Sequence, residues 1–457
     1  MRNLRRCRRG SVAFATVIAL IPLIGVVALG AEAGSWYVTK QHAQNAADAA
    51  AYSGGLTLAC TISGSTNCDA GQDYVNRGKQ FAAQNAFCNS GESYTGCSSL
   101  PAGTTRTVQI DRGSYSAGAW ASSASGNFVR AVVSQQQPTA LAAVLGLSTV
   151  DIGAQAIVEV KNPKDLCALG LSETSIGLTL GGSVNITGNG CGLMADNTVK
   201  YASTPTFSGS GWAVNAVNGC TNSGNCDPGV PYNYNMLPAT NPLAALDSAS
   251  FNSRTGNTAP LQKITPCPAG LPADVKNCYK ITPNSSGTGA YKDLTVTTGD
   301  YVTFDTEGAT SGTYFFYKAA IKINGGYVNC TCTSSGTGVT LVLLGDSSIS
   351  ISGATVNLSA PATNSFSSLL NGVLIDDQAP TKSNNNVTIN GSGTVALGGA
   401  LYFPNVDVTW NGTAASTNTT CTEVIANTLT MSGSAYLSTS GCAPGTIAKT
   451  QVVALVK

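Results

Sequence analysis

The chain has 457 residues, 51 of them glycine, with 43% hydrophobic and only 10% charged residues. Twenty-four basic residues against 23 acidic ones leave no basic footprint for nucleic acid, and apolar residues recurring at short intervals argue against overall disorder. Fifteen cysteines and a single histidine, His42, favour disulfides over zinc sites or histidine-dependent nucleophiles.

Arg2, Arg5, Arg6, Arg8 and Arg9 precede an uncharged run from Gly10 to Ala31. As a helix rising 1.5 Å per residue, this run spans about 33 Å, enough for a hydrocarbon core of roughly 30 Å. The arginines lie on one side and Glu32 on the other, so the positive-inside bias predicts a single pass with the N-terminus cytoplasmic and the remainder periplasmic. Two processing alternatives exist. Ala31-Glu32-Ala33 fits small-x-small signal cleavage, but the run exceeds the usual signal core of about 7–15 residues. Gly10-Ser11 fits a prepilin cut, but Ala15 stands where prepilins carry glutamate.

Beyond the span, Trp36 and Tyr37 occupy the place of interfacial aromatics. Val38 to Tyr52 is alanine-dense and helix-favouring, with Gly54-Gly55 as its expected end. Ala43, Ala46, Ala47 and Ala50 form a smooth face suited to close approach by neighbouring membrane helices, although helix propensity alone also accounts for them.

The segment resembles the N-terminal region of the TadE/TadG-like family of Tad (Flp) pilus-assembly proteins. The resemblance rests on Arg9-Gly10-Ser11-Val12-Ala13, then Gly34-Ser35-Trp36-Tyr37-Val38, then Gln44 through Ala51, and covers residues 8–58. Glu32 stands where relatives often place aspartate, and Lys40-Gln41-His42 where they carry more arginine. The resemblance implies a single-pass inner-membrane scaffolding component of pilus assembly or adhesion. It would work among other pilus-assembly or pilin-like membrane proteins and membrane lipid. Separately from the resemblance, the residues themselves suggest envelope glycan as a further partner and no cofactor, metal or catalytic residues.

Residues 60–161 read as a small α+β domain. Gln72–Phe87 has the pattern of an amphipathic helix, Thr107–Asp111 and Phe128–Ser134 of strands, Pro138–Leu145 of a short helix, and Val150–Val160 of an alternating strand. The run from Val129 to Val160 is similar in order and character to the region following the anchor in pilus-assembly relatives.

Asn162-Pro163 marks a boundary, and the region 162–457 carries a loose repeat of short strand pairs around a glycine turn. The repeat appears at Leu178–Ile186, Ile321–Cys330, Ile349–Leu358, Val387–Leu397 and Leu429–Leu437. Alternating apolar residues give each copy one inward face, which only stacking on a neighbour can bury. The unequal spacing suits coils with variable loops. The expected fold is therefore mainly β: an N-terminal membrane helix (1–59), a small α+β domain (60–161), and an irregular right-handed parallel β-helix, with a β-sandwich as the alternative. A proline-rich stretch at about 228–283 lacks the repeat and is expected to pack against the coils or over one end.

Fourteen cysteines lie beyond the predicted span, an even number. Local spacing suggests Cys60 with Cys68, Cys88 with Cys97, Cys220 with Cys226 and Cys267 with Cys278; Cys167 and Cys191 flank a strand pair, and the connectivity stays open. Two constellations invite a chemical reading. Asp346-Ser347-Ser348-Ile349-Ser350 fits a D-x-S-x-S metal pattern, but the strand repeat continues through it. Asp376-Asp377 offers paired carboxylates for glycoside cleavage. From residue 164 onward, however, there is no histidine and Arg254 is the sole arginine, so turn capping is the simpler account. The sequence thus points to a structural, non-enzymatic protein, with a membrane-tethered glycan-binding or polysaccharide-cleaving protein as the alternative.

Overall fold

The computed structural model describes residues 8–63, 71–161, 163–221, 226–251, 253–332, 336–379, 387–391, 393–412, 421–450 and 452–457. They form two compact units: Met1–Asn162 with Val452–Lys457, and Pro163–Gln451.

In the first unit, α1 (Arg8–Ser63) is one continuous helix of 56 residues, about 84 Å long at 1.5 Å per residue. Its first half is apolar and bare, with Phe14, Val17, Leu23, Val26 and Val27 all exposed, and it is long and apolar enough to cross a membrane. Its second half is buried. Ala43, Ala46, Ala47, Ala50 and Ala51 recur at helical spacing on one face and are completely covered. The face continues past the glycines: a Cβ on Gly55 would lie 2.6 Å from Cγ2 of Val158. Gly54-Gly55, expected to end the helix, instead let it pass close over the sheet, and it runs on to Ser63.

What α1 covers is a five-stranded antiparallel sheet and α2 (Tyr74–Gln84), whose first turn is capped by the Asp73 carboxylate accepting from Asn76 N at 2.7 Å. The sheet comprises β1 (Thr105–Ser116), β2 (Ala119–Ser122), β3 (Phe128–Pro138) and β4 (Thr149–Val160), in the order β2-β1-β3-β4. The strand Val453–Leu455 pairs with β4 at the edge. Burial alternates along β3, where Val129, Ala131 and Val133 turn to the helices, the pattern of an antiparallel sheet with one covered face. The structure therefore differs from a division at residue 59. A helix face this free of side chain is buried only by something approaching closely, and the α+β region supplies it. The chain's last residues also return to this unit.

Among the described residues, the second unit is a 24-stranded arrangement in which most pairings are parallel and join a strand to the third one after it. Ser311–Tyr317 pairs with Gly338–Leu344, and that strand with Val373–Gln378. Ala320–Asn324 pairs with Ser348–Ser352, and that with Val387–Gly391. The register stacks like on like: Ile321 on Ile349, Ile323 on Ile351, and Ile351 on Ile389. These columns join one continuous apolar core. Between the strands Ala320–Asn324 and Tyr327–Cys330, Gly325 and Gly326 turn with φ of 100° and 73°, a backbone region that side chains disfavour.

The stacking order is not the chain order. Thr422–Leu437 pairs in parallel with Lys164–Gly170, Ile176–Leu180 and Asn185–Gly188, so the last strands adjoin the first. From there the early strands extend away to Tyr232–Tyr234. The following segment then travels back across successive strands as a strap. Ala239 N donates to Asp196, Asn241 to the Tyr402 hydroxyl, and Leu246 O accepts from Gln378. Phe251 packs on Phe315, and Gln262–Ile264 finally pairs with Asn277–Ile281. Of the stretch at about 228–283, only the middle part thus packs across the strands; Tyr232–Tyr234 and Asn277–Ile281 are themselves paired in parallel within the stack.

Candidate functional site

Asp376 and Asp377 lie on the buried strand Val373–Gln378 and are 0% and 1% exposed. Neighbours on a strand point to opposite faces. Asp377 stands in register with Leu343 of the apolar core, whereas Asp376 stands beside Val342 and Tyr402. The two carboxylates therefore do not converge on one substrate position. Asp376 Oδ2 accepts from Gln378 Nε2 at 2.8 Å, and Asp377 Oδ1 accepts from Ala379 N at 2.9 Å. The other oxygen of each has no hydrogen-bond partner. Burial pushes Asp376 up to about 8, with the nearby Asp377 and Asp247 charges adding to it, and pushes Asp377 up to about 7. The Tyr402 hydroxyl donates to Asp247 Oδ1 at 2.7 Å and accepts from Asn241 Nδ2 at 2.9 Å, so this polar cluster ties down the strap.

Asp346 and its serines do not form a loop of ligands. Ser347 Oγ is buried between Leu344 O, to which it donates, and Ala319 N, from which it accepts. Ser348 and Ser350 alternate with core residues Ile349 and Ile351 on a strand. Cys421, Glu423 and Cys442 do bring their donor atoms within 4.8 Å of one another. The two sulfurs are joined in a disulfide, however, which removes both thiolates as metal ligands. Glu423 accepts from the Thr446 hydroxyl and is pushed up to about 7 by burial. A nearby groove of about 560 Å³ is lined by Gly336, Thr337, Asn357, Ser359, Gly398 and Pro444 among others, with no charged or aromatic side chain among its described lining residues.

The structure joins Cys88 to Cys97, Cys167 to Cys191, Cys220 to Cys226 and Cys267 to Cys278. It also joins Cys330 to Cys332 and Cys421 to Cys442, two pairs that sequence spacing had not singled out. Cys60 is disulfide-bonded, while Cys7 and Cys68 lie outside the described residues.

A further set of specific contacts lies along α1. Ala43, Ala46, Ala47 and Ala50, expected to meet neighbouring membrane helices, are occupied by the chain's own sheet and α2. Gln44 Nε2 reaches Gln155 O at 3.5 Å, and Lys40 Nζ donates to Gly153 O. Further toward the apolar half, Glu32 receives the backbone N–H groups of Ala140, Leu141 and Ala142 at 2.7, 3.0 and 3.1 Å. These hydrogen bonds, that from Ala140 first, hold the Glu32 carboxyl below its usual range. No sequence pattern marked Glu32 as a bridge; its partners are backbone groups and carry no residue signature.

Residues 10–59 match the model of the Flp pilus-assembly TadE/G-like family, and residues 54–157 match that of the Tad-like Flp pilus-assembly family Tad_C. The matched regions overlap where Gly54 and Gly55 bring α1 onto the sheet. No curated protein and no solved structure matches the chain.

Proposed function

We propose, from these two Tad pilus-assembly regions over residues 10–157, that the chain is a membrane-anchored scaffolding component of Flp/Tad pilus assembly or adhesion. The N-terminus is cytoplasmic, and the part of the first unit beyond the span lies in the periplasm with the second unit. Partners are other pilus-assembly or pilin-like membrane proteins and the inner-membrane lipid, with envelope glycan as a further contact. The second unit is an irregular right-handed parallel β-helix. Its parallel pairing at every third strand supports that reading over an antiparallel Greek-key sandwich.

One observation carries the role: the apolar helix continues without a break into the face buried against the sheet, so force or position in the membrane passes directly to the folded unit. The role is mechanical rather than catalytic. Asp376 and Asp377 face opposite ways, which supports this over a polysaccharide-cleaving reading.

Deletion should deplete surface Flp-type pili and attachment while leaving pilin synthesis intact. An Asp376→Asn, Asp377→Asn copy should restore piliation. Full piliation in the deletion strain would overturn the scaffold, and failure of a folded carboxylate variant would restore an enzymatic reading.

A further inference from the structure

The contacts between α1 and the β3–β4 hairpin descend in order. Gly55 lies against Val158, Gln44 reaches Gln155, Lys40 reaches Gly153, and Glu32 holds residues 140–142. Moving toward the N-terminus of α1 therefore means moving toward the hairpin's tip. The last contact falls one residue beyond the uncharged run that ends at Ala31, with exposed Leu29 a turn below. The tip is thus placed where the apolar span ends.

The tip's composition matches that place. There is no charged residue from Ala131 to Val150. The tip is closed on itself by Thr139 N to Ser148 O at 3.1 Å and Leu147 N to Ala142 O at 3.1 Å, around a short 3-10 turn, Ala142–Leu145. It nevertheless displays Val144 at 82% exposure and Leu147 at 56%. The charged side chains of α1 that meet the hairpin, Glu32 and Lys40, are both hydrogen-bonded by its backbone, which leaves the tip itself without a charged side chain.

We propose that residues 139–148 dock into the interfacial layer of the bilayer that α1 crosses, seating Val144 and Leu147 at the headgroup–acyl boundary as a second, non-spanning membrane contact. The occupant is lipid because the patch continues the apolar surface of the span and is fixed at its outer end. The inference rests on the anchor reading above. With two attachments, the first unit is held at a set rotation about the helix instead of swivelling on it.

The test uses full-length protein carrying Cys7→Ser and one added cysteine, labelled with a polarity-sensitive fluorophore. It is reconstituted in phosphatidylethanolamine–phosphatidylglycerol vesicles containing a lipid with a shallow nitroxide. Val144→Cys should shift to the blue, lose intensity to the nitroxide and resist aqueous iodide. Ser122→Cys, at the other end of the sheet, should do none of these. Leu20→Cys reports the span itself. If Leu20→Cys is quenched by lipid nitroxides and Val144→Cys is not, the docking proposal alone falls. If neither is quenched, the anchor reading falls and takes the proposal with it. Resistance to iodide without lipid quenching, together with cross-linking between Val144→Cys sites, would replace lipid with a second copy and overturn the proposal.

Discussion

Glu32 accepts the backbone N–H of Ala140 at 2.7 Å, across 108 residues of chain. With Leu141 and Ala142 also donating, a single carboxylate satisfies three successive amides that a short turn leaves open. Charged acceptors make the stronger hydrogen bonds. Glu32→Ala is therefore expected to speed amide hydrogen exchange at residues 139–148 while leaving β4 protected, as read by exchange mass spectrometry in nanodiscs. Glu32→Gln should fall between. Because the Glu32 carboxyl is held below its usual range, this protection is present above about pH 4.5 and is lost as pH falls through the lowered value. Unchanged exchange in the alanine variant would show that the bridge contributes nothing.

Gly55 is a position of forced contact. A Cβ there would meet Val158 Cγ2 at 2.6 Å and Val453 Cγ1 at 3.0 Å. Gly55→Leu should destabilise the first unit by about 1–3 kcal/mol through overpacking, seen as a lower melting temperature and poorer piliation. Gly34, with nothing within 4 Å of an added Cβ, is the control. Gly34→Ala should be neutral or stabilise the helix by up to about 1 kcal/mol.

The second unit should weaken toward alkaline pH. Burial raises Asp376 to about 8, and Asp196, Asp377 and Glu423 to about 7 each. A carboxyl raised on folding binds its proton more tightly in the native state. Its contribution is therefore complete below the unfolded value near 4 and is lost as pH rises through the folded one. Melting temperature should fall between pH 5 and 9. Asp376→Asn should flatten that slope and, at pH 9, stabilise by roughly 1–3 kcal/mol, the cost of an unsatisfied buried polar group. A melting temperature that climbs across this range would contradict the assignment.

Alkylation of the unreduced protein is expected to label Cys7 and no other cysteine. Replacing Cys421 and Cys442 together by serine should cost about 2–5 kcal/mol. It should create no zinc affinity, because only Glu423 would remain of the clustered donors. Thiol counting, melting and zinc titration check the three parts.

Some of this architecture is legible in the residues because the physics is local. Lipid demands a long uncharged run, so Gly10–Ala31 declares itself. Strand alternation has period two, so Ile349 and Ile351 mark an inward face without any partner being known. What eludes the sequence is the identity of the partner. Four alanines on one face announce that something comes close, but membrane helix and sheet make the same demand, and here the sheet meets it. Asp376-Asp377 reads as a pair only until the strand is known; strand geometry then turns the two apart. The return of Val453–Leu455 to β4 and the strap from Ala239 to Ile264 rest on pairings between distant segments, which leave no local pattern.

The seam between Thr422–Leu437 and the strands of 164–188 fixes a timetable. Thr187 Oγ1 meets Ala435 O, 248 residues later in the chain. Synthesis runs from the N-terminus, so the earliest strands of the second unit exist for most of that interval with one edge unfilled. An open parallel edge is a template for any passing strand, and its closure depends on chain that arrives last. Truncation near the C-terminus would thus harm the beginning of this unit as much as its end, and a nascent chain stalled before residue 422 is the species most in need of a chaperone.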